Sequence, residues 1–291
     1  MAQTKQQIQS LLAQANSRPR HRFGQNFMID GNLVRLVADS GMIQPGDLVI
    51  EVGPGTGTLT EELLARQASV VAVEIDRDLA ALLRAQYESN QNFRLIEGDA
   101  LAGKHAICAD LLEEIAKVKM QNSAAGAKIR AIRLVANLPY NIASPLIIEL
   151  LIAGADLLAF TVQKEVADRL RAAAGSDDYG PLSIMAQLLA RVEVLRALPP
   201  QAFWPMPTIE SALVRLTRQD HLGAKASRFS TFVHQIFSSR RKTLRNGLLK
   251  ITDTPDDALH KTRIDGLIRP ERLEPLQCLQ LFNAIKASTL P

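Results

Sequence analysis

Leu48-Val49-Ile50-Glu51-Val52, running into Gly53-Pro54-Gly55-Thr56-Gly57, is the most restrictive stretch of this chain. The run is short, apolar, rich in β-branched residues and bounded by Pro45-Gly46 before and Gly53 after, the pattern of a buried strand. Leu59, Leu63 and Leu64 follow at helical spacing. Glycines at a strand-to-helix turn permit positive φ and let the backbone approach a ligand closely. The spacing is GxGxG, not the GxGxxG of dinucleotide binders, and Pro54 stiffens the turn. Taken alone, such a turn could be simple chain reversal.

Three further apolar runs end in residues with chemistry. Val70–Val73 is closed by Glu74, a carboxylate about 20 residues past the first glycine, where it can accept from ribose hydroxyls. Phe93-Arg94-Leu95-Ile96 reads as a third strand ending at Gly98-Asp99-Ala100. Asp99 there could meet an adenine amine, although alone it would serve as a helix N-cap. The run Ile132–Ala136 then empties into Asn137-Leu138-Pro139-Tyr140. The Asn137 oxygen and the Leu138 carbonyl supply two acceptors for an exocyclic amine, Pro139 fixes the turn between them, and Tyr140 supplies a face to stack on the base. A base reaches such a site only when unstacked or flipped out of its helix. These features fall at the carboxyl ends of four successive strands, where open α/β sheets bind ligands.

The matching motifs extend beyond the strand ends. They are Arg22-Phe23-Gly24-Gln25-Asn26-Phe27, Glu51-Val52-Gly53-Pro54-Gly55 and Asn137-Leu138-Pro139-Tyr140-Asn141-Ile142. Gln163-Lys164-Glu165-Val166, Phe203-Trp204-Pro205-Met206-Pro207 and Arg240-Arg241-Lys242-Thr243-Leu244-Arg245-Asn246 complete the set. Together they resemble the ribosomal RNA adenine dimethyltransferases. The resemblance implies a Rossmann-like methyltransferase sheet with a small C-terminal all-helical domain, and S-adenosylmethionine as methyl donor. It implies N6,N6-dimethylation of two neighbouring adenosines near the 3′ end of small-subunit rRNA, within a pre-30S particle. By motif matching, Asn26, Met28, Gly53, Gly55, Glu74, Asp99 and Asn137 would contact the donor or line its pocket. Asn137, Leu138, Pro139 and Tyr140 would hold the adenine, with Phe203 stacking opposite Tyr140. Two positions depart from the family pattern. Gln121–Gly126 looks like a loop insertion in an unusually long stretch between Asp99 and Asn137, and Thr208 stands where a lysine is usual.

Composition is compatible with that reading. The chain has 291 residues, 47% hydrophobic and 22% charged, enough for one or two globular domains. No apolar stretch reaches the roughly 18 residues a membrane span needs, and Met1–Gln7 lacks the apolar core of a signal peptide. Two distant cysteines, Cys108 and Cys278, argue for a reducing cytoplasm. His21, His105, His221, His234 and His260 show no metal-ligand spacing with either, so no metal is expected.

Charge is concentrated at the two ends. Residues 1–22 hold Lys5, Arg18, Arg20 and Arg22 and no acid; residues 218–291 hold 13 Lys+Arg against 7 Asp+Glu. With +4 for the whole chain, residues 23–217 are left at −6. Basic extensions on an acidic body suit a binder of anionic polymer driven by counterion release. Arg18, Arg20, Arg22 and the cluster Arg240, Arg241, Lys242 and Arg245 are therefore expected on RNA phosphate.

Three divisions follow: 1–30, a basic tail or lid with a short helix around Lys5–Ala15; 31–217, the methyltransferase domain; and 218–291, a helical RNA-binding domain. The helix after Asp76 presents Leu79, Leu82 and Leu83, and Phe229, Phe232, Val233, Ile236 and Phe237 form a helical stripe. Asp156–Gln163 and Ala212–Leu216 read as later strands. A monomer is the simplest expectation. Two other readings compete: the same chemistry on large-subunit rRNA or DNA adenine, and an assembly checkpoint in which binding and release matter more than methylation.

Overall fold

A computed structural model describes residues 3–103, 106–123 and 130–285. Its strands are β1 (Phe27–Met28), β2 (Leu48–Val52), β3 (Ser69–Glu74), β4 (Phe93–Glu97), β5 (Ile132–Asn137), β6 (Leu157–Gln163), β7 (Ala190–Leu198), β8 (Phe203–Trp204) and β9 (Ser211–Arg218). Seven of them form one sheet in the order β4-β3-β2-β5-β6-β9-β7. The neighbours from β4 to β6 are parallel, and β9 joins β6 antiparallel. The sheet is of the open α/β kind, with its order reversing between β2 and β5.

The central strands are apolar because both faces are covered. Every residue of β2 is buried, as are five of the six in β3. In between run α2 (Gly31–Ser40), α3 (Thr58–Ala65), α4 (Arg77–Tyr87), α5 (Ala109–Ser123) and α6 (Ala143–Ala153). Asp76 caps α4 by accepting from the Asp78 N–H at 3.2 Å, and Leu79 and Leu83 on that helix are fully buried. Of the expected loop at Gln121–Gly126, Gln121–Ser123 belong to α5, and the remainder lies outside the described residues.

The N-terminal segment is not a separate tail. Its helix α1 (Lys5–Gln14) buries Ile8 and Leu12 in a cluster with Phe27 and Leu79. At its start Gln3 Nε2 donates to the Thr56 carbonyl at 2.9 Å, and Thr56 Oγ1 donates back to Gln3 Oε1 at 2.7 Å. Two apolar side chains at helical spacing in a basic stretch could not announce which surface they cover.

The chain divides into two compact units, Met1–Ala167 with Glu193–Thr217, and Asp168–Val192 with Arg218–Pro291. In sequence the units meet at 217/218, and the second also takes Asp168–Val192, a segment expected in the methyltransferase domain. The reason lies in α8 (Pro181–Leu189), where Leu182, Ile184, Met185, Leu188 and Leu189 are all buried. A helix that is apolar around its circumference needs partners on several sides. It packs with α9 (Ala226–Phe237) and α12 (Pro275–Ala284) of its own unit. Tyr179 reinforces the arrangement by donating its hydroxyl to the Leu273 carbonyl at 2.6 Å. In α9 the stripe Phe229, Phe232, Val233 and Ile236 is fully buried, with Phe282 edge-on to Phe229 at 5.4 Å. Among the described residues, no strand follows Arg218.

Candidate active site

A cleft of about 910 Å³, counting space open to solvent, lies at the carboxyl ends of β2 to β5. Its walls include Asn26, Met28, Gly53, Gly55, Glu74, Asp99, Asn137 and Pro139. Parallel register explains the convergence. Val52 lies beside Val73, and Glu74 beside Glu97, so the loops after these strands open on the same edge.

The glycine turn shapes the floor. Gly53 and Gly55 have φ of +73° and +63°, a region costly for residues with a Cβ. A Cβ on Gly55 would also lie 2.9 Å from the Phe27 ring. The Gly55 N–H donates to Glu74 Oε2 at 3.1 Å and the Asp76 N–H to Glu74 Oε1 at 2.9 Å. Burial pushes the Glu74 carboxyl up to about 7 despite those two donors. Behind the turn, Glu51 is 1% exposed and is pushed up to about 8 by burial, against the hydrogen bond from Thr60 Oγ1 at 2.7 Å. Asp99 serves two purposes: Oδ1 accepts from the Leu101 N–H at 2.9 Å, and the residue lines the cleft.

On the opposite wall, Asn137 Nδ2 donates to the Asn26 carbonyl at 2.6 Å, and Asn137 Oδ1 accepts from the Thr161 hydroxyl. Leu138 buries its side chain and donates its N–H to the Thr161 carbonyl at 3.2 Å. Tyr140 is half-buried, its hydroxyl 2.8 Å from Ser211 Oγ, and neither Leu138 nor Tyr140 is among the residues that line the cleft.

Phe23–Met28 line the cleft, and three polar contacts from Arg20 and Gln25 tie this segment down. Arg20 pairs with Asp76 at 2.9 Å and Asp78 at 2.5 Å, and Gln25 Nε2 donates to Asp76 Oδ2 at 3.1 Å.

Several expected roles change. Phe203 is not brought to the cleft. It is 2% exposed and packs with Met28, Val37 and Leu213, because β8 pairs with β1 in the register Met28↔Phe203. Arg20 is committed to two carboxylates rather than open to phosphate. Arg245 is held by Asp256 through two contacts of 2.7 Å, and Arg240 lies 3.8 Å from Glu271. These acids come from elsewhere in the chain, so charge counting could not reveal the pairing. Arg18, Arg22, Arg241 and Lys242 are exposed, with Arg22 over the Phe23 ring at 4.6 Å. Sequence reasoning assigned no site role to Glu51 or Thr161. The signal for Glu51 was a carboxylate inside an otherwise apolar strand; Thr161 gave none.

The lining fits an adenosyl sulfonium compound. Glu74 and Asp99 offer acceptors for a diol and an amine, and Leu59, Val73, Ile75 and Ala100 offer apolar wall. At the start of α3, Thr58 Oγ1 is buried without a partner and the helix has no side-chain cap. That leaves donors for a carboxylate. Among the described residues, no group of His, Cys, Asp and Glu could hold a metal ion, and no helix is long and apolar enough to cross a membrane.

Comparison with known proteins agrees with this geometry. Residues 16–287 match the family described as ribosomal RNA adenine dimethylase. The "Ribosomal RNA small subunit methyltransferase A" of Pseudomonas syringae pv. tomato is 38% identical, over 95% of this chain and 98% of that protein. Among solved structures, the 23S rRNA methyltransferase ErmE is 26% identical with a TM-score of 0.59, covering 89% of this chain and 99% of its own. A dimethyladenosine transferase from Plasmodium falciparum is 22% identical with a TM-score of 0.65, covering 88% and 95%.

Proposed function

The chain belongs to the ribosomal RNA adenine dimethylase family, and we propose that it dimethylates N6 of two adjacent adenosines near the 3′ end of small-subunit rRNA. The substrate is a pre-30S particle in the cytoplasm, and the enzyme acts as a monomer. S-adenosylmethionine, when bound, supplies an electrophilic methyl group. Asn26, Met28, Gly53, Gly55, Glu74 and Asp99 line the place for that donor. Asn137 Oδ1 and the Leu138 carbonyl accept from the adenine amine, orienting the nitrogen lone pair toward the methyl group. Tyr140 stacks on the base, a contact worth about 1–3 kcal/mol. Methyl transfer needs alignment and a fitting electrostatic environment more than a strong base.

The observation that carries the reading is Asn137 standing on the same cleft as Glu74 and Asp99. Small-subunit rRNA is favoured over large-subunit rRNA by 38% identity across nearly the whole chain against 26% to ErmE. Arg18, Arg22, Arg241 and Lys242 contact RNA phosphate.

The test offers the purified protein and labelled donor to undermethylated small subunits, naked large-subunit rRNA and duplex DNA. Label on two neighbouring adenosines of the small subunit supports the proposal, and transfer only to either alternative overturns it. Asn137→Ala should lower turnover far more than RNA binding. If both fell together, Asn137 would not be the adenine-holding residue.

A further inference from the structure

Thr161 stands directly beside Asn137 in the parallel register of β5 and β6. It is 0% exposed, in a strand whose Leu157, Leu158, Ala159, Phe160 and Val162 are buried and apolar. A hydroxyl in such surroundings is costly unless it is hydrogen-bonded. Its partner is Asn137 Oδ1. The other end of that amide donates to the Asn26 carbonyl at 2.6 Å. A carbonyl can only accept, so the amide nitrogen must face Asn26 and the amide oxygen must face Thr161. The orientation of Asn137 is thus fixed from both ends, and it does not depend on telling oxygen from nitrogen by shape.

An amide oxygen has two lone pairs. Thr161 occupies one, which leaves one for an incoming amine. We propose that Thr161 is a positioning residue for methyl transfer, holding the Asn137 amide so that its remaining lone pair meets an N6 hydrogen of the target adenine. The inference rests on the reading of Asn137 given above. It also bears on the order of events. An unmethylated amine carries two hydrogens for the two acceptors, Asn137 Oδ1 and the Leu138 carbonyl. After the first transfer a single hydrogen remains, so the second transfer is less tolerant of an acceptor that wanders.

The test uses the full-length protein, undermethylated small subunits and the variants T161V, T161S and N137A. T161V removes the hydroxyl and keeps the shape of the side chain. The expected result is a kcat about 3- to 10-fold lower, the loss of one neutral hydrogen bond. Donor affinity by calorimetry should be unchanged, and the products should be enriched in monomethyladenosine. T161S should restore both kcat and the product ratio. If T161V fails to fold, T161S against T161A gives the same comparison of a residue with and without the hydroxyl. The proposal is overturned if the variants lacking the hydroxyl keep wild-type turnover and product ratio, or if T161S is no better than they are. N137A separates the two levels: inactive N137A with unaffected T161V removes only the role of Thr161, whereas active N137A removes the reading of Asn137 itself.

Discussion

The N–H of Gly55 donates to Glu74 Oε2 at 3.1 Å, so the glycine turn after β2 and the acid that ends β3 act as one unit. Gly55 has φ +63° and no room for a Cβ beside Phe27. Gly55→Ala should fold but adopt a shifted turn, with a backbone cost of about 1–2 kcal/mol. Donor affinity should fall about tenfold, the equivalent of about 1.4 kcal/mol. Calorimetric titration with S-adenosylmethionine checks this, and unchanged affinity would remove the turn from the donor site.

Donor binding should depend on pH through Glu74, whose carboxyl burial pushes up to about 7. Above that value it is ionised and keeps acceptor capacity beyond the bonds from Gly55 and Asp76. Below it, protonation removes part of that capacity, so affinity should weaken as pH falls through 7. Glu74→Gln should bind more weakly at high pH and lose most of the dependence. Parallel binding curves for the two proteins would remove Glu74 as the cause.

Stability should fall as pH rises, chiefly because of Glu51. Its folded-state pKa of about 8 lies above the ordinary carboxylate value of 4.5. Between the two values the folded chain keeps a proton that the unfolded chain has released, so raising pH favours unfolding. The contribution is intact below 4.5 and is lost as pH rises through about 8. Glu74, at about 7, acts in the same direction. The thermal midpoint of the donor-free protein should therefore drop from acidic to alkaline buffer, and Glu51→Gln should flatten the drop.

Arg20 ties the N-terminal segment to Asp76 and Asp78. Arg20→Ala should loosen residues 18–27 and weaken donor binding about fivefold, for a loss of about 1 kcal/mol. Limited proteolysis should show faster cleavage near Arg18 and Arg22. Wild-type cleavage and wild-type donor affinity together would show that the pair does not hold the segment closed.

Arg241 and Lys242 are exposed and, among the described residues, have no carboxylate within 4.0 Å. Replacing both with alanine should reduce the slope of log affinity for rRNA against log salt by about 2. Arg245→Ala should change it less, since that guanidinium is already paired. Equal effects would mean that RNA displaces Asp256.

Much of the site was legible because backbone requirements leave marks on residue type. Gly53 and Gly55 mark positive φ, and Glu74, Asp99 and Asn137 stand just past or at the ends of recognisable apolar runs. Such signals are local, and parallel pairing carried them to one edge of the sheet. Phe203 was misread because an aromatic beside prolines looks the same whether it faces solvent or core. Its pairing with Met28, 175 positions earlier in the chain, decided the matter.

The central strands and their turns, and with them the α/β class and the cleft-lining Gly53, Gly55, Glu74, Asp99 and Asn137, were written in the chain, since hydrophobic period and glycine placement act over a few neighbours. The tertiary structure alone decided which acids capture Arg20 and Arg245, why Asp168–Val192 joins the helical unit, and what holds the Asn137 amide. Those outcomes depend on contacts between residues far apart in sequence. A cation and its partner, or a hydroxyl and the amide it steadies, have no joint pattern until the chain has folded.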